Sequence, residues 1–312
     1  MAAEAGAGSR RAHGPARARR FRLPVGLALA VLCLAPPARG ELLARADAAW
    51  ADRALGARDG VALPGPVGEA IEAYEAARAA RPQALEPEWK LLRALHFAAA
   101  FTSPQESEAA ELHARATRVA EQAMERLARR VGSGTRLDRL DPGQVEARIE
   151  GTGVTPRDVA RLHFWAAIHW GAWSRTVGLV SAVRRGVASR LHRYTTLAVS
   201  LEPGYEEGGA LRLLGRLHSE LPRVPFLTGW VDRDRAIPLL ARALELAPQH
   251  PGNRLLMGLT LLDLEPERSR EAWELIGEVA RGEPRPSMRI EDLALRRAAR
   301  DLLAQAPEAG RS

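Results

Sequence analysis

The sequence has little cysteine, few aromatic residues and few runs of β-branched residues. Its single cysteine, Cys33, lies in an apolar stretch near the start of the chain. Without that stretch, no thiol remains for a disulfide or for nucleophilic catalysis. The shortage of β-branched runs, in a chain rich in Ala, Leu, Arg and Glu, predicts helix almost throughout. After residue 40 no run is long and apolar enough to cross a bilayer.

Positive charge is concentrated at the N-terminus. The formal net charge is +7, but residues 1–40 alone hold seven arginines and one acid, which makes them +6. The remainder of the chain is therefore close to neutral. Because a nucleic-acid-binding domain needs a basic surface, we expect no nucleic-acid partner.

Residues 1–40 have the pattern of a cleaved secretory signal peptide. An arginine-rich segment precedes the apolar stretch 23–35, and the small residues Ala38 and Gly40 predict cleavage before Glu41. The pair Arg19–Arg20 leaves twin-arginine export open beside the general secretory route. A lipid anchor on Cys33 is not expected, because Leu32 stands where a lipoprotein signal needs a small residue. We therefore expect a periplasmic protein whose membrane contact is at most peripheral.

Residues 41–312 are predicted to form a single helical domain, because a ladder of alanine, a large residue, alanine and proline recurs along them. Small alanines let two helices approach closely, the large residue fills the gap between pairs, and proline ends the helix. Two of the prolines are 36 residues apart, near the tetratricopeptide period of about 34. A weaker copy has Thr195 as its large residue and ends at Ala198 and Pro203. The three main copies are Ala70, Tyr74, Ala77 and Pro82; Ala236, Leu240, Ala243 and Pro248; and Ala272, Ile276, Val279 and Pro284.

This ladder predicts an all-α fold, a right-handed superhelix of antiparallel helix pairs with about 11–12 helices. Trp89, Leu92 and Phe97 mark the helix that pairs with the first ladder, and Gly258 marks a close contact between later helices. The patterns further predict helices over 42–55, 104–131, 156–178, 180–201, 207–220 and 289–305, and loops over 56–68, 132–154 and 223–231. The 104–131 helix is expected to be capped at Ser103–Pro104, the 132–154 loop to hold a short helix near 142–150, and the last helix to close the stack with an arginine-rich outer face.

A tryptophan-rich helix lies at the centre of the chain and carries Trp165, His169, Trp170 and Trp173. Core packing accounts for these residues because large aromatic side chains dominate helical interiors. A lining for an apolar ligand channel, or a seam between subunits, is the alternative. His163 and His169 are six residues apart, which does not place them on one face as metal ligands.

A turn rich in glycine follows the next predicted helix, 180–201, and its residues are Pro203, Gly204, Tyr205, Gly208 and Gly209. No strand precedes the glycines and no Lys-Ser/Thr follows them, so they do not form a phosphate-binding loop. Tyr205 is expected to pack beneath the turn. Adjacent carboxylates at 206 and 207 point in different directions, so they are not expected to act as an acid–base pair. We therefore expect no catalytic residue, metal or cofactor, and no enzymatic activity.

The tryptophan-rich helix, the turn at 203–209, then Gly215, Pro222 and the ladder ending at Pro248 together resemble the TatT family. These are periplasmic T components associated with tripartite ATP-independent periplasmic (TRAP) transporters. The resemblance implies a tetratricopeptide-like helical fold, a homotrimer around a central pore, and docking of a periplasmic substrate-binding protein. It also implies passage of an organic or apolar ligand. Many members are lipoproteins, and this chain departs from them at Leu32–Cys33.

Two function classes stay open from the sequence. The first is an accessory protein of a TRAP-type uptake system. The second is a general exported tetratricopeptide scaffold with no ligand of its own. A transporter gene beside the coding sequence and a stable homo-oligomer would favour the first.

Overall fold

The computed structural model describes residues 39–306 except 103, 133 and 135, and this part of the chain is helical with no β-strand. The all-α prediction is confirmed. The described helices are α1 Arg39–Ala51, α2 Pro64–Ala80, α3 Glu86–Phe101, α4 Glu106–Arg130, α5 Pro142–Ile149, α6 Pro156–Thr176, α7 Leu179–Arg184, α8 Val187–Leu201, α9 Gly209–Glu220, α10 Ala236–Leu246, α11 Pro251–Leu264, α12 Ser269–Arg281 and α13 Arg289–Ala304. Four short 3-10 turns, at 137–139, 233–235, 266–268 and 286–288, join some of them.

The helix predicted over 180–201 is wrong in one respect, because it is broken into α7 and α8. Gly186 stands at the break with φ of +61°, in the left-handed region that ends a helix, and Gly178 before α7 also has a positive φ of +75°. The loop predicted over 56–68 is shorter than expected. Pro64 and Pro66 lie in the first turn of α2, where proline costs no intrahelical hydrogen bond.

Other boundaries agree closely with the patterns. Thr155 caps α6 by accepting a hydrogen bond from the backbone N–H of Asp158, 3.0 Å away. The predicted cap at Ser103 lies outside the described residues, and α4 instead begins after Gln105, in a reciprocal capping pair with Glu108. The predicted leader also lies outside them, apart from Arg39 and Gly40, which begin α1.

The ladder residues occupy the positions that the repeat pattern requires. Ala70, Tyr74 and Ala77 in α2, Leu240 in α10 and Ile276 in α12 are all fully buried. Helices adjacent in sequence pack on each other through most of the chain. The prolines at 82, 203, 248 and 284 come two or three residues after the ends of α2, α8, α10 and α12. This arrangement is compatible with a superhelix of helical repeats.

Contacts between the two ends of the described chain were not expected. Arg53, just after α1, donates to the backbone carbonyl of Ser287 at 2.7 Å and to the carboxylate of Glu291 at 2.9 Å. Both side chains of this ion pair are largely buried, at 9% and 15% exposure. Arg297 of α13 donates to the carbonyl of Asp59 at 2.9 Å. The arginine-rich face of α13 is therefore partly in contact with the loop between α1 and α2.

The core is divided unevenly between the halves. One large cluster, rich in aromatic residues, extends through α1 to α9. Two small clusters, dominated by aliphatic residues, fill the space among α10 to α13. Within 39–306, no helix is long and apolar enough to span a membrane.

Candidate functional site

The tryptophan-rich helix, α6, directs most of its large side chains into the core. Trp165 and Trp170 are 7% and 6% exposed, His169 is fully buried, and Trp173 near the end of the helix is half-buried. The indole N–H of Trp165 donates to Oη of Tyr205 at 2.8 Å. Tyr205 also makes edge-to-face ring contacts with Trp89 and Phe164.

Trp170 belongs to a polar network that the sequence did not reveal, centred on Glu121 of α4. Oε1 of Glu121 accepts hydrogen bonds from Arg190 at 2.9 Å, from the hydroxyl of Tyr194 at 2.9 Å and from the indole of Trp170 at 3.1 Å. Oε2 accepts from Arg136. One carboxylate thereby joins α4, α6, α8 and the loop after α4.

This network holds the glycine-rich 132–154 segment against the helices. Arg136 also donates to Asp138 at 2.9 Å, and Arg193 of α8 donates to the other oxygen of Asp138 at 3.0 Å. Burial alone would raise the pKa of Glu121, but the hydrogen bond and the charge of Arg136 outweigh burial and leave that pKa below its ordinary value. Because its oxygens already accept four donors, Glu121 is suited to holding helices together rather than to accepting a substrate proton.

Three histidines from three helices meet beside Trp165. His96 of α3, His113 of α4 and His169 of α6 have ring centroids 5.1–6.4 Å apart. Nε2 of His169 lies 2.8 Å from the carbonyl of Leu92, so it carries the proton and donates there. Nδ1 of His169 is then an acceptor, and Nδ1 of His113, 2.9 Å away, must donate to it.

The three imidazoles are held neutral at physiological pH. Burial, followed by the repulsion that a protonated His96 would meet from a protonated His113 and from Arg175, lowers the pKa of His96 to about 4. Burial is also the main cause that lowers the pKa values of His113 and His169. Nδ1 of His96 is buried and finds no hydrogen-bond partner among the described residues. The sequence placed only His169 of these three among its candidates, because the other two lie on helices far along the chain.

Three of the signature glycines lie at close contacts with neighbouring helices. Gly208 has φ of +87°, and a Cβ there would meet the Cβ of Ala243 at 3.0 Å. A Cβ on Gly209 would meet the ring of Phe164 at 2.9 Å, and one on Gly215 would meet Leu240 at 2.9 Å. These contacts pack the turn and α9 against both α6 and α10. Gly204 has open space around its Cα, and Pro222 follows the end of α9.

Asn253 fastens the same turn to the C-terminal repeats. Its side-chain amide donates to the carbonyls of Ala243 at 2.7 Å and Ala247 at 3.0 Å, which closes the end of α10. Its oxygen accepts from Arg212 at 2.8 Å, and Arg212 also donates to the carbonyl of Glu206 at 3.0 Å. An isolated asparagine and arginine have no spacing signal, so sequence patterns missed both.

A solvent-open groove of about 730 Å³ lies in another part of the molecule, between α2 and α4 above the end of α3. Val67, Ile71 and Ala98 form a buried apolar floor, and Leu112 extends it. Charged side chains of α4 form one wall; they are Glu108, Glu111, Arg115 and Arg118. None of the tryptophans of α6 lines this groove.

In the part of the chain that the structure describes, no group of three His, Cys, Asp or Glu side chains is arranged to hold a metal ion. The histidine cluster agrees with that finding, because both ring nitrogens of His169 and Nδ1 of His113 are already used in hydrogen bonds, to each other or to the carbonyl of Leu92. Compared with known proteins, the chain matches no family model and no curated protein.

Proposed function

We propose that this chain is a periplasmic helical-repeat accessory protein of a TRAP-type uptake system, which docks a substrate-binding protein. Its work is binding rather than catalysis, and no cofactor takes part. The proposal rests on the resemblance of residues 156–285 to the TatT family, on the signature residues Tyr205, Gly208 and Gly209, and on the signal-like residues 1–40. The resemblance leads us to expect a homotrimer. An organic or apolar ligand would pass through its central pore.

The groove between α2 and α4 is the observation that best supports a docking function. It combines an apolar floor, built by Val67, Ile71 and Leu112, with a charged wall that includes Arg115 and Arg118. Protein partners commonly recognise such a combination, in which a buried apolar contact supplies affinity and surrounding charges supply orientation. The tryptophans of α6 are packed and hydrogen-bonded, so we assign the docking surface to this groove and not to them.

The test is a binding measurement with the substrate-binding protein encoded beside this gene. Immobilised partner should retain the wild-type protein, and Arg115→Glu/Arg118→Glu should weaken binding by about 30-fold, since opposed charges are replaced by repelling ones across an interface. Because Arg115 also pairs with Glu75 at 2.6 Å, folding of the variant is checked by circular dichroism.

A matched control reverses an arginine elsewhere. Arg270→Glu, at a side chain 93% exposed on α12, should bind like wild type. If the neighbouring substrate-binding protein does not bind, or no transporter component is encoded nearby, the TRAP assignment is wrong. A general exported scaffold, the second function class, would then be the better description. If binding is intact but insensitive to the groove variants, the function survives and the assigned surface does not.

A further inference from the structure

Two exposed apolar segments lie outside the groove and outside the core. The first is α7, a helix none of whose residues is buried; Leu179, Val180 and Val183 are 79%, 66% and 45% exposed. The second is the loop after α9, in which Phe226 and Leu227 are 105% and 46% exposed. Phe226 has φ of +64°, and its ring stands fully clear of the surface. Large apolar side chains displayed in this way are unusual unless something covers them.

The segments adjoin each other through the first half of α8. The hydroxyl of Ser189, in the first turn of α8, donates to the carbonyl of Leu227 at 3.4 Å. The ring of His192, one turn further on, stacks on Trp230 with centroids 4.1 Å apart. Since only two residues separate the end of α7 from the start of α8, the two apolar segments lie at the same edge of the molecule. We call them together the apolar edge.

Within the two segments of the apolar edge and the helix that joins them, the charge is of one sign. No aspartate or glutamate occurs from residue 159 to residue 201, and none occurs from 221 to 231. Arg184, Arg185 and Arg223 lie in or next to these segments and Arg175 lies four residues before α7, and all four are exposed. Within the described residues none of the four forms an ion pair, in contrast to Arg190 and Arg193, which pair with Glu121 and Asp138. The edge therefore presents protruding apolar groups surrounded by uncompensated positive charge.

An aromatic side chain of the type found at membrane–water interfaces lies next to this edge. Trp173, half-buried at the end of α6, has the guanidinium of Arg185 5.0 Å above its ring and Trp170 beneath it, with ring centroids 5.4 Å apart. Tryptophan is favoured at the headgroup level of bilayers, where one part of the ring is apolar and the other is hydrated.

We infer that the apolar edge is a membrane-docking site, which inserts Leu179, Val180 and Phe226 into the interface of an anionic bilayer while the arginines contact lipid phosphates. Short basic segments with exposed aliphatic and aromatic residues bind the headgroup region by combining apolar insertion with electrostatic attraction. The uncompensated charge favours anionic lipid over a second copy of this chain, because two such edges facing each other would bring the same arginines together. The inference does not depend on the proposed TRAP partner.

The test is co-sedimentation with vesicles, using protein purified from the producing cells with its N-terminus determined by mass spectrometry. Knowing the N-terminus matters because the apolar stretch 23–35 would itself bind lipid if it were retained. Vesicles of phosphatidylethanolamine with about one third phosphatidylglycerol should bind the protein, and vesicles of phosphatidylcholine alone should bind it about tenfold or more weakly. The Leu179→Ser/Phe226→Ser variant should lose at least tenfold in binding to the anionic vesicles. Arg184→Gln/Arg185→Gln/Arg223→Gln should lose roughly 100-fold.

Two exposed apolar residues outside the edge supply a control. Leu55 and Leu246 are 67% and 48% exposed, and Leu55→Ser/Leu246→Ser should bind vesicles like wild type. All four substituted apolar side chains are exposed, so each variant should melt within about 2 °C of wild type. Equal binding of all variants, or no binding to anionic vesicles, would overturn the inference. So would a wild-type dimer in solution that the Leu179→Ser/Phe226→Ser variant abolishes without any vesicle binding.

Discussion

The centre of the molecule and its C-terminal repeats use different means to hold helices together. In the centre, α4, α6 and α8 surround Glu121, Arg136 and Tyr194, and a histidine cluster lies beside them. In α10 to α13 the helices meet through aliphatic side chains such as Leu240, Leu261 and Ile276, which are fully buried. The repeats therefore pack mainly through apolar side chains, with Asn253 as a buried polar contact, whereas the centre adds a network of charges and hydrogen bonds among several helices.

This difference explains why sequence patterns predicted the helix contacts of the repeats but not those of the centre. An apolar contact between neighbouring helices recurs with the period of the repeat, so Leu240 and Ile276 stand at equivalent ladder positions. The hydrogen-bond partners of a carboxylate in the core must lie near it in space but need no regular spacing in the sequence. The partners of Glu121 lie 15 to 73 residues away along the chain. Four measurements test this difference between the centre and the C-terminal repeats, and their expected effects decrease from the first to the last.

Removing the central carboxylate should have the largest effect. Glu121→Ala leaves the fully buried Tyr194 and the partly buried Arg136 and Arg190 without their shared acceptor, so we expect a loss of about 4 kcal/mol in the free energy of unfolding. Urea unfolding followed by circular dichroism measures it. Glu125→Ala, at an exposed glutamate one turn along the same helix, should change stability by less than about 0.5 kcal/mol. Equal effects of the two changes would mean that the network contributes nothing.

Shortening a ladder residue tests the repeats in the same assay. Ile276 is fully buried between α11, α12 and α13, and Ile276→Ala should cost about 3 kcal/mol because it leaves a cavity. Leu246→Ala, in the same region but 48% exposed, should cost less than about 0.5 kcal/mol. A loss of similar size at both positions would contradict the ladder's role in packing.

Lowering the pH should affect the centre through its histidines. The folded-state pKa of His96, about 4, lies below the ordinary 6.5, so the unfolded chain takes up this proton first as pH falls. The contribution of neutral His96 to the free energy of unfolding is complete above pH 6.5. It decreases as the pH falls from 6.5 to 4 and is lost below pH 4. For His96 alone, we expect up to about 2 kcal/mol less stability at pH 5 than at pH 7.

The matched variant for that pH test is His96→Phe. It keeps a ring of similar size beside Phe101 and Trp165 but cannot titrate. The difference in unfolding free energy between pH 7 and pH 5 should shrink relative to wild type. An unchanged difference would show that His96 is not the group responsible.

A close helix contact in the repeats should give the smallest effect. A Cβ on Gly258 would lie 2.8 Å from the carbonyl oxygen of Ala272 and 2.9 Å from Ile276, so Gly258→Ala should cost about 1 to 2 kcal/mol. Gly65→Ala, in α2 with open space around its Cα, should be neutral or slightly stabilising, since alanine favours helix. A stabilising Gly258→Ala would mean that α11 and α12 can separate without cost.

Much of the fold was predictable because local rules decide it. The ladder spacing, the prolines after helix ends and the helical pattern over 156–178 predicted α2, α6, α10 and α12 closely. The break at Gly186 was missed because glycine inside a helical pattern is often tolerated, and only its positive φ shows that the helix ends there. The groove and the apolar edge were missed because each is assembled from segments that are separate in sequence.

The tryptophan-rich helix shows the same limit at a single site. Its composition predicted a helix with large buried rings, and Trp165 and Trp170 are buried. Trp165 donates its hydrogen bond to Tyr205, which lies 40 positions away in the sequence. Trp170 donates to Glu121, which lies 49 positions away. No pattern within the helix contains that information.

Local sequence patterns predicted a helical chain, the places where most helices begin and end, and the alanines and large residues that lie between helices. These properties follow from backbone preferences and from the helical period, which act within a few residues. Only the tertiary structure decided that Arg53 reaches Glu291, that three histidines meet, and that the exposed residues of α7 and Phe226 share an edge. Such contacts depend on how successive helices turn relative to one another, and small differences at each turn accumulate along a repeat.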